Sequence, residues 1–100
     1  MRNYRDFVAE TVKNPDEAAE YIRASLEEYS ADGNLEAFLT TVRTVTNTMG
    51  GITELAKRTE LNRQTLYRTL SKKGNPKIKT MRSVLSSLGL RLSVEPVRVL

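Results

Sequence analysis

Cysteine and histidine are both missing from this chain of 100 residues. Without cysteine the chain forms no disulfide and offers no thiolate, which fits a reducing compartment, and we expect a cytoplasmic protein. Without histidine it lacks the commonest general base and metal ligand. No glycine-rich phosphate loop is present, and Gly50-Gly51 is too short to be one. We therefore expect a protein that is not an enzyme and has no cofactor, metal site or small-molecule substrate.

Long apolar runs are missing as well. No stretch of about 18 apolar residues occurs, and we see no signal peptide, so we expect a chain that neither spans nor leaves a membrane. Residues 1–100 are enough for one domain with a modest core. Because only 39% of the residues are hydrophobic, we expect part of the stability to come from association.

Acidic residues are scarce in the second half of the chain, and basic residues are scarce in the first. Residues 1–49 carry five basic and nine acidic residues, a net charge of −4, whereas residues 50–100 carry eleven and three, a net charge of +8. This asymmetry predicts two partners of opposite charge. The basic half suits a phosphate backbone, and the acidic half suits a basic protein or only keeps clear of DNA.

The stretch from Ile52 to Lys73, ITELAKRTELNRQTLYRTLSKK, predicts two short helices joined by a tight turn. Asn62 is placed to cap the second helix by accepting a hydrogen bond from a main-chain amide two or three residues further on. Leu66 and Leu70 stand four residues apart and predict an inward face. The opposite face of that second helix is polar and cationic and collects Arg63, Gln64, Tyr67, Arg68 and Ser71.

Two explanations fit this pattern. One is an ordinary helical hairpin with a solvated, charged face. The other is a helix-turn-helix that binds duplex DNA through the major groove, favoured by the small Ala56, the short turn ending at Leu61 and the Asn62 cap. Under the second explanation we expect base-edge contacts from Arg63, Gln64 and Arg68. We expect phosphate contacts from Asn62, Thr65, Tyr67, Ser71, Lys72, Lys73, Lys77 and Lys79.

Further helices are predicted on either side of this stretch. Residues 4–12 predict a short helix. Asn14-Pro15-Asp16-Glu17 is a helix start, and the helix that follows runs to about Tyr29, with Ala18, Ile22, Leu26 and Tyr29 on one apolar stripe. Residues 35–49 predict another helix, with an apolar stripe at helical spacing. After the loop 72–77, in which Gly74 is free to adopt positive φ, a last helix is predicted with Ile78, Met81, Val84, Leu85 and Leu88 inward. The chain therefore predicts an all-α fold of about five helices: acidic amino-terminal helices in 1–49 and a helix-turn-helix core in 50–89.

Residues 90–100 form a tail in which Leu90-Arg91-Leu92-Ser93-Val94-Glu95 alternates strictly, which predicts a short β-strand. A lone strand in a helical chain has no ladder partner. Three possibilities stay open: a frayed tail, pairing with the same strand of a second subunit, or pairing with an edge strand of another protein.

The segment ITELAKRTELNRQTLYRTLSKKGNPKIKTMRSVLSSLGLRLSVEP resembles the carboxy-terminal part of HigA-like addiction-module antidote proteins, which are small lambda-repressor-type (Xre-like) helix-turn-helix antitoxins. The resemblance extends over YRDFVAETVKNPDEAAEYIRASLEE and GNLEAFLTTVRTVTNTMGGI. It is most specific in LYRTLSKKGNP and SSLGLRLSVEP. One departure is Glu60, which occupies the turn position where helix-turn-helix proteins favour glycine.

The resemblance implies a lambda-repressor-like fold and an antitoxin of a type II toxin–antitoxin module. In such a fold the loop 72–77 lies near the DNA backbone, although a simple solvated linker explains this loop equally well. Such a protein neutralises a small basic toxin of the RelE/ParE-like kind by binding it, and represses its own operon. Because one module contacts too little DNA for a tight site, we also expect a homodimer on a palindromic operator. Two alternatives remain: a stand-alone prophage-type regulator without a toxin, and a protein-interaction module that no longer reads DNA.

Overall fold

The computed structural model of the protein describes residues 14–71 and 73–97, and these ranges contain five helices and no strand. The predicted all-helical class is therefore confirmed. The helix predicted at residues 4–12 lies outside the described ranges. In chain order the helices are α1 (Pro15–Asp32), α2 (Leu35–Thr48), α3 (Gly51–Arg58), α4 (Arg63–Thr69) and α5 (Ile78–Ser87).

The start of α1 follows the predicted capping signal. Asn14 Oδ1 accepts a hydrogen bond from the Glu17 amide at 3.0 Å, and Asn14 Nδ2 donates one to the Glu17 carboxylate at 2.8 Å. Pro15 takes the first helical position, where its missing N–H costs nothing. The helix continues three residues beyond Tyr29, the predicted end, until Gly33 at φ 68° donates its amide to the Tyr29 carbonyl.

Threonine is a weak helix former, yet α2 contains it repeatedly. The structure shows how four of its five hydroxyls are accommodated, because those of Thr40, Thr44, Thr46 and Thr48 each donate to a carbonyl about one turn earlier in the same helix. Thr46, which is 1% exposed, donates to the Val42 carbonyl at 2.8 Å, and Thr44 donates to the Thr40 carbonyl at 2.9 Å. The predicted apolar stripe can therefore pack beside buried threonines without leaving their hydroxyls unsatisfied.

The helices share one hydrophobic core. Packing runs from α1 to α2 and from α2 to α3, and α3 then contacts both α4 and α5. Burial of the apolar side chains in this core stabilises the fold by about 25 cal/mol per Å² of apolar surface removed from water. The buried hydrophobic residues are Ala18, Ile22, Phe38, Leu39, Val42, Val45, Ile52, Leu55, Leu66, Leu70, Met81, Val84, Leu85 and Leu88.

Two predictions of inward positions are wrong. Ile78 is 76% exposed, because it is the first residue of α5 and projects from the end of the helix beyond the core. In α1, Leu26 and Tyr29 remain more than a third exposed, whereas Ser25 is buried. The core-facing stripe of α1 therefore continues from Ile22 by a step of three residues, not four.

The carboxy-terminal β-strand predicted for the tail is also not found. Gly89, at φ 82°, ends α5, and the Leu90 amide donates to the Leu85 carbonyl at 2.8 Å. Residues 91–97 then belong to no helix or strand, and all of them are exposed. A strand exists only as part of a ladder, and the described part of this single chain offers no second strand.

None of the helices in the described ranges is both long enough and apolar enough to cross a membrane.

Candidate nucleic-acid interface

The turn between α3 and α4 is built by Thr59. This residue has an extended backbone at φ −118° and ψ 171°, and its Oγ1 accepts the Leu61 amide at 3.2 Å. No non-glycine residue in the described ranges has positive φ, so Glu60 fits the turn without left-handed strain. Leu61 packs against the core and fixes the turn to the body of the protein.

The position of α4 is set by a cap outside and two leucines inside. Asn62 Oδ1 accepts the Thr65 amide at 2.7 Å, which confirms the predicted cap. Leu66 and Leu70 are fully buried, as the four-residue spacing predicts. With this face against the core, the opposite side of the helix faces solvent.

The exposed side of α4 presents two rows of polar side chains. Arg63 and Tyr67 stand four residues apart, as do Gln64 and Arg68, and all four are exposed. The Arg63 guanidinium carbon lies 5.7 Å from the centre of the Tyr67 ring, a cation–π contact that orients the guanidinium along the helix. The three residues predicted to contact base edges are thus brought to one surface.

The residues predicted to contact phosphate differ in how far they are exposed. Asn62 and Lys73 are exposed, Tyr67 is 52% exposed, and Thr65 and Ser71 are half-buried. The Ser71 hydroxyl donates to the Arg68 carbonyl at 2.8 Å, so it already has a partner at the end of α4. Lys72 lies outside the described residues.

A second group of cations surrounds the start of α5. Lys77 and Lys79 are exposed there, and Lys77 occupies the cap position without a side-chain hydrogen bond to the helix. The unpaired amides of a first helical turn carry partial positive charge. Gly74, in the loop before α5, is free to adopt positive φ but does not do so. Instead, a Cβ at this position would collide with the Thr69 carbonyl at the end of α4, so glycine is needed here for close approach.

Two arginines that support the helix ends were missed by the sequence reasoning. Arg43 Nη1, from α2, donates to the Leu70 carbonyl at the carboxy end of α4 at 2.8 Å. Arg58 Nη1 donates to the Ser87 carbonyl at the carboxy end of α5 at 3.3 Å. The sequence signal that could have revealed the Arg43 contact is that Arg43 is the one basic residue of α2 and is surrounded along the chain by apolar residues and threonines.

Together, the fold and this surface define a small all-helical protein in which a helix, a turn and a second, cationic helix stand out from a common core. The chain belongs to a family of probable addiction module antidote proteins, whose family model matches residues 4–96. The predicted membership of an antidote family is thereby confirmed. Neither a curated protein nor a solved structure gives a match to the chain. Antidote proteins are in general non-enzymatic partners of a toxin, so family membership supports an antitoxin role.

Proposed function

We propose that the protein is the antitoxin of a type II toxin–antitoxin module, which binds its own operator DNA as a repressor and neutralises a small basic toxin of the RelE/ParE-like kind. The observation that carries the DNA-binding part is the exposed surface of α4 that presents Arg63, Gln64 and Arg68, and that faces solvent because Leu66 and Leu70 are buried on the opposite side. Membership of the antidote family supports the toxin-binding part.

In the proposed complex α4 lies in the major groove. Arginine forms a bidentate pair with the O6 and N7 atoms of guanine, and glutamine forms one with the N6 and N7 atoms of adenine. Arg63 and Gln64 belong to the first turn of α4, the part of a recognition helix that commonly approaches base edges. Arg68 extends the same surface by one turn.

Phosphate contacts flank this helix and set its position on the duplex. Asn62 remains a candidate because its cap bond uses only Oδ1, so its Nδ2 is the atom that would donate to a phosphate oxygen. Lys73, Lys77 and Lys79, together with the first turn of α5, offer cations and amides beyond the end of α4. Thr65, Tyr67, Ser71 and Lys72 complete the predicted phosphate set.

The proposed DNA-binding form is a homodimer on a palindromic operator. Helix α4 has seven residues and by itself touches one half-site. Two copies related by a two-fold axis place their recognition helices about 34 Å apart, on successive major grooves of the same DNA face.

The toxin would bind the acidic half of the protein. Helix α1 exposes five carboxylates, and a basic partner surface complements them electrostatically. The exposed acids of α1 are Asp16, Glu20, Glu27, Glu28 and Asp32.

Sequence-specific DNA binding is tested by a fluorescence-anisotropy titration. The probes are DNA from upstream of the protein's own gene and a scrambled duplex, each at two salt concentrations. We expect a preference for the upstream DNA that survives at the higher salt. Arg63→Ala and Arg68→Ala should each remove about 1–3 kcal/mol of that preference, whereas Arg23→Ala, at an exposed position on α1, should not.

Equal binding to both duplexes that collapses with salt would mean phosphate contacts alone and would contradict the repressor proposal. It would favour the protein-interaction module. The antitoxin part is tested separately, by co-expression and co-purification with the product of a small basic reading frame beside the gene. Absence of such a frame, together with sequence-specific DNA binding, would favour the stand-alone regulator.

A triple variant tests the acidic surface itself. Glu20→Lys, Glu27→Lys and Glu28→Lys together reverse the charge at exposed positions of α1 and leave the core unchanged. We expect this variant to fold and to lose toxin binding, and full-strength binding would contradict the assignment of toxin contact to α1.

A further inference from the structure

The tail after α5 is the most exposed apolar segment of the described chain. Val94 is 97% exposed, Val97 is 89% exposed and Leu92 is 44% exposed. The first residue of the tail is nevertheless held in place, because Leu90 packs against the core and its amide donates to the Leu85 carbonyl. A firmly anchored segment with exposed, alternating apolar side chains is typical of a strand that lacks its neighbour.

The sequence of the tail is complementary to itself in one register. When two copies of residues 91–95 run antiparallel about a two-fold axis at Ser93, Arg91 of each copy stands opposite Glu95 of the other, and Leu92 stands opposite Val94. One face of the ribbon then carries two Arg–Glu pairs around the two serines, and the other face is entirely aliphatic. Opposite charges and aliphatic side chains in directly opposed positions both stabilise an antiparallel pair.

The ends of the tail agree with this register. Leu90 would be opposed by Pro96, which has no amide to donate, so the ladder ends there. On an alternating strand Leu90, Leu92 and Val94 share one face, and Leu90 already contacts the core at the root of the tail. The aliphatic face of the ribbon therefore continues from the cores of the two protomers.

We infer that the tail is a dimerisation strand, which pairs with the same segment of a second copy of this chain in an antiparallel ribbon centred on Ser93. The inference rests on the homodimer in the proposed function and names the surface that forms it, but it needs neither DNA nor toxin. Ten paired residues form a small interface, so free dimers are expected to be weak and to be reinforced when both recognition helices engage one operator.

The test is sedimentation velocity of the full chain without DNA, over about 10 µM to 1 mM. Arg91→Glu and Glu95→Arg each place like charges opposite one another at two positions, so each should raise the dimer dissociation constant about tenfold. The double variant restores opposite charges with the sense reversed and should return the constant to near the wild-type value. Arg23→Glu and Glu60→Arg make the same charge changes at exposed positions outside the tail and should leave it unchanged.

A second variant tests the position of the two-fold axis. The chain has no cysteine, so Ser93→Cys introduces a single thiol that faces its own copy across the axis, within reach of a disulfide. We expect mild oxidation to convert this variant to a covalent dimer much faster than Ser86→Cys, which substitutes an exposed serine of α5.

Several results would overturn the proposal. These are a wild-type chain that stays monomeric throughout the range, single charge variants that dimerise like wild type, a double variant that does not recover, and equal cross-linking of the two cysteine variants. The first would indicate a frayed tail or a strand that pairs with another protein. Loss of operator preference in the anisotropy titration would contradict the proposed function and leave the dimer result standing, so the two failures are distinguishable.

Discussion

Arg43 in α2 donates a hydrogen bond from its guanidinium to the main-chain carbonyl of Leu70, which is 27 residues further along the chain. The carbonyl belongs to the carboxy-terminal cap of α4, where the helix dipole leaves partial negative charge. The half-buried cation therefore satisfies one end of the proposed recognition helix from within the acidic half of the protein. This bond complements the Asn62 cap at the other end.

Loss of this bond should destabilise the protein and loosen α4. Arg43→Met keeps much of the aliphatic stem but removes the donor, and we expect the free energy of unfolding to fall by about 1–2 kcal/mol. Urea unfolding followed by circular dichroism measures this change. Arg23→Met, at an exposed position of α1, should stay within about 0.5 kcal/mol of wild type. Equal stability of the two variants would show that the Arg43 bond contributes nothing.

Substitutions of Asn62 should separate its cap from its proposed phosphate contact. Asn62→Ala removes the oxygen that accepts the Thr65 amide and should cost about 1 kcal/mol of stability as well as DNA affinity. Asn62→Asp keeps the cap but brings a negative charge toward the duplex. We expect this variant to be as stable as wild type and to bind DNA more weakly. If Asn62→Asp binds DNA as tightly as wild type, the side chain does not face a phosphate.

Gly74 should tolerate no side chain, because the Thr69 carbonyl occupies the space of a Cβ. Main-chain atoms at the end of α4 cannot move aside cheaply, so we expect Gly74→Ala to cost about 3 kcal/mol. Gly33→Ala is the matched control, with positive φ but nothing within 4 Å of the added methyl group, and should cost about 1 kcal/mol. Thermal unfolding of both variants ranks them. A Gly74→Ala protein that melts at or above the Gly33→Ala protein would contradict the proposed close approach.

The cations at the start of α5 should appear in the salt dependence of DNA binding. If Lys77 and Lys79 each neutralise one phosphate, Lys77→Gln and Lys79→Gln should each reduce the slope of log K against log salt by about 0.9. Preference for the operator over a scrambled duplex should persist, because phosphate contacts carry no sequence information. The control is Arg23→Gln on α1. An unchanged slope in both lysine variants would remove the start of α5 from the interface.

Local signals in the sequence determined where several helices begin and end, and which face of α4 is buried. Asn14 with Pro15, Asn62, Gly33 and Gly89 set helix ends through hydrogen bonds and dihedral preferences that act within a few residues. The four-residue spacing of Leu66 and Leu70 determined the inward face of α4 for the same reason, and thereby placed the candidate residues Arg63, Gln64 and Arg68 on its exposed side.

Contacts between distant residues were decided only by the tertiary structure. Apolar periodicity shows which residues can be buried, but not which neighbouring element covers each turn of a helix, so it failed for Ile78 and for Leu26. The Arg43–Leu70 bond depends on how α2 lies beside the end of α4, and no local rule specifies that. The tail shows the same division. Its alternation marks a strand, but a strand forms only where a ladder partner lies, and the described part of the single chain provides none.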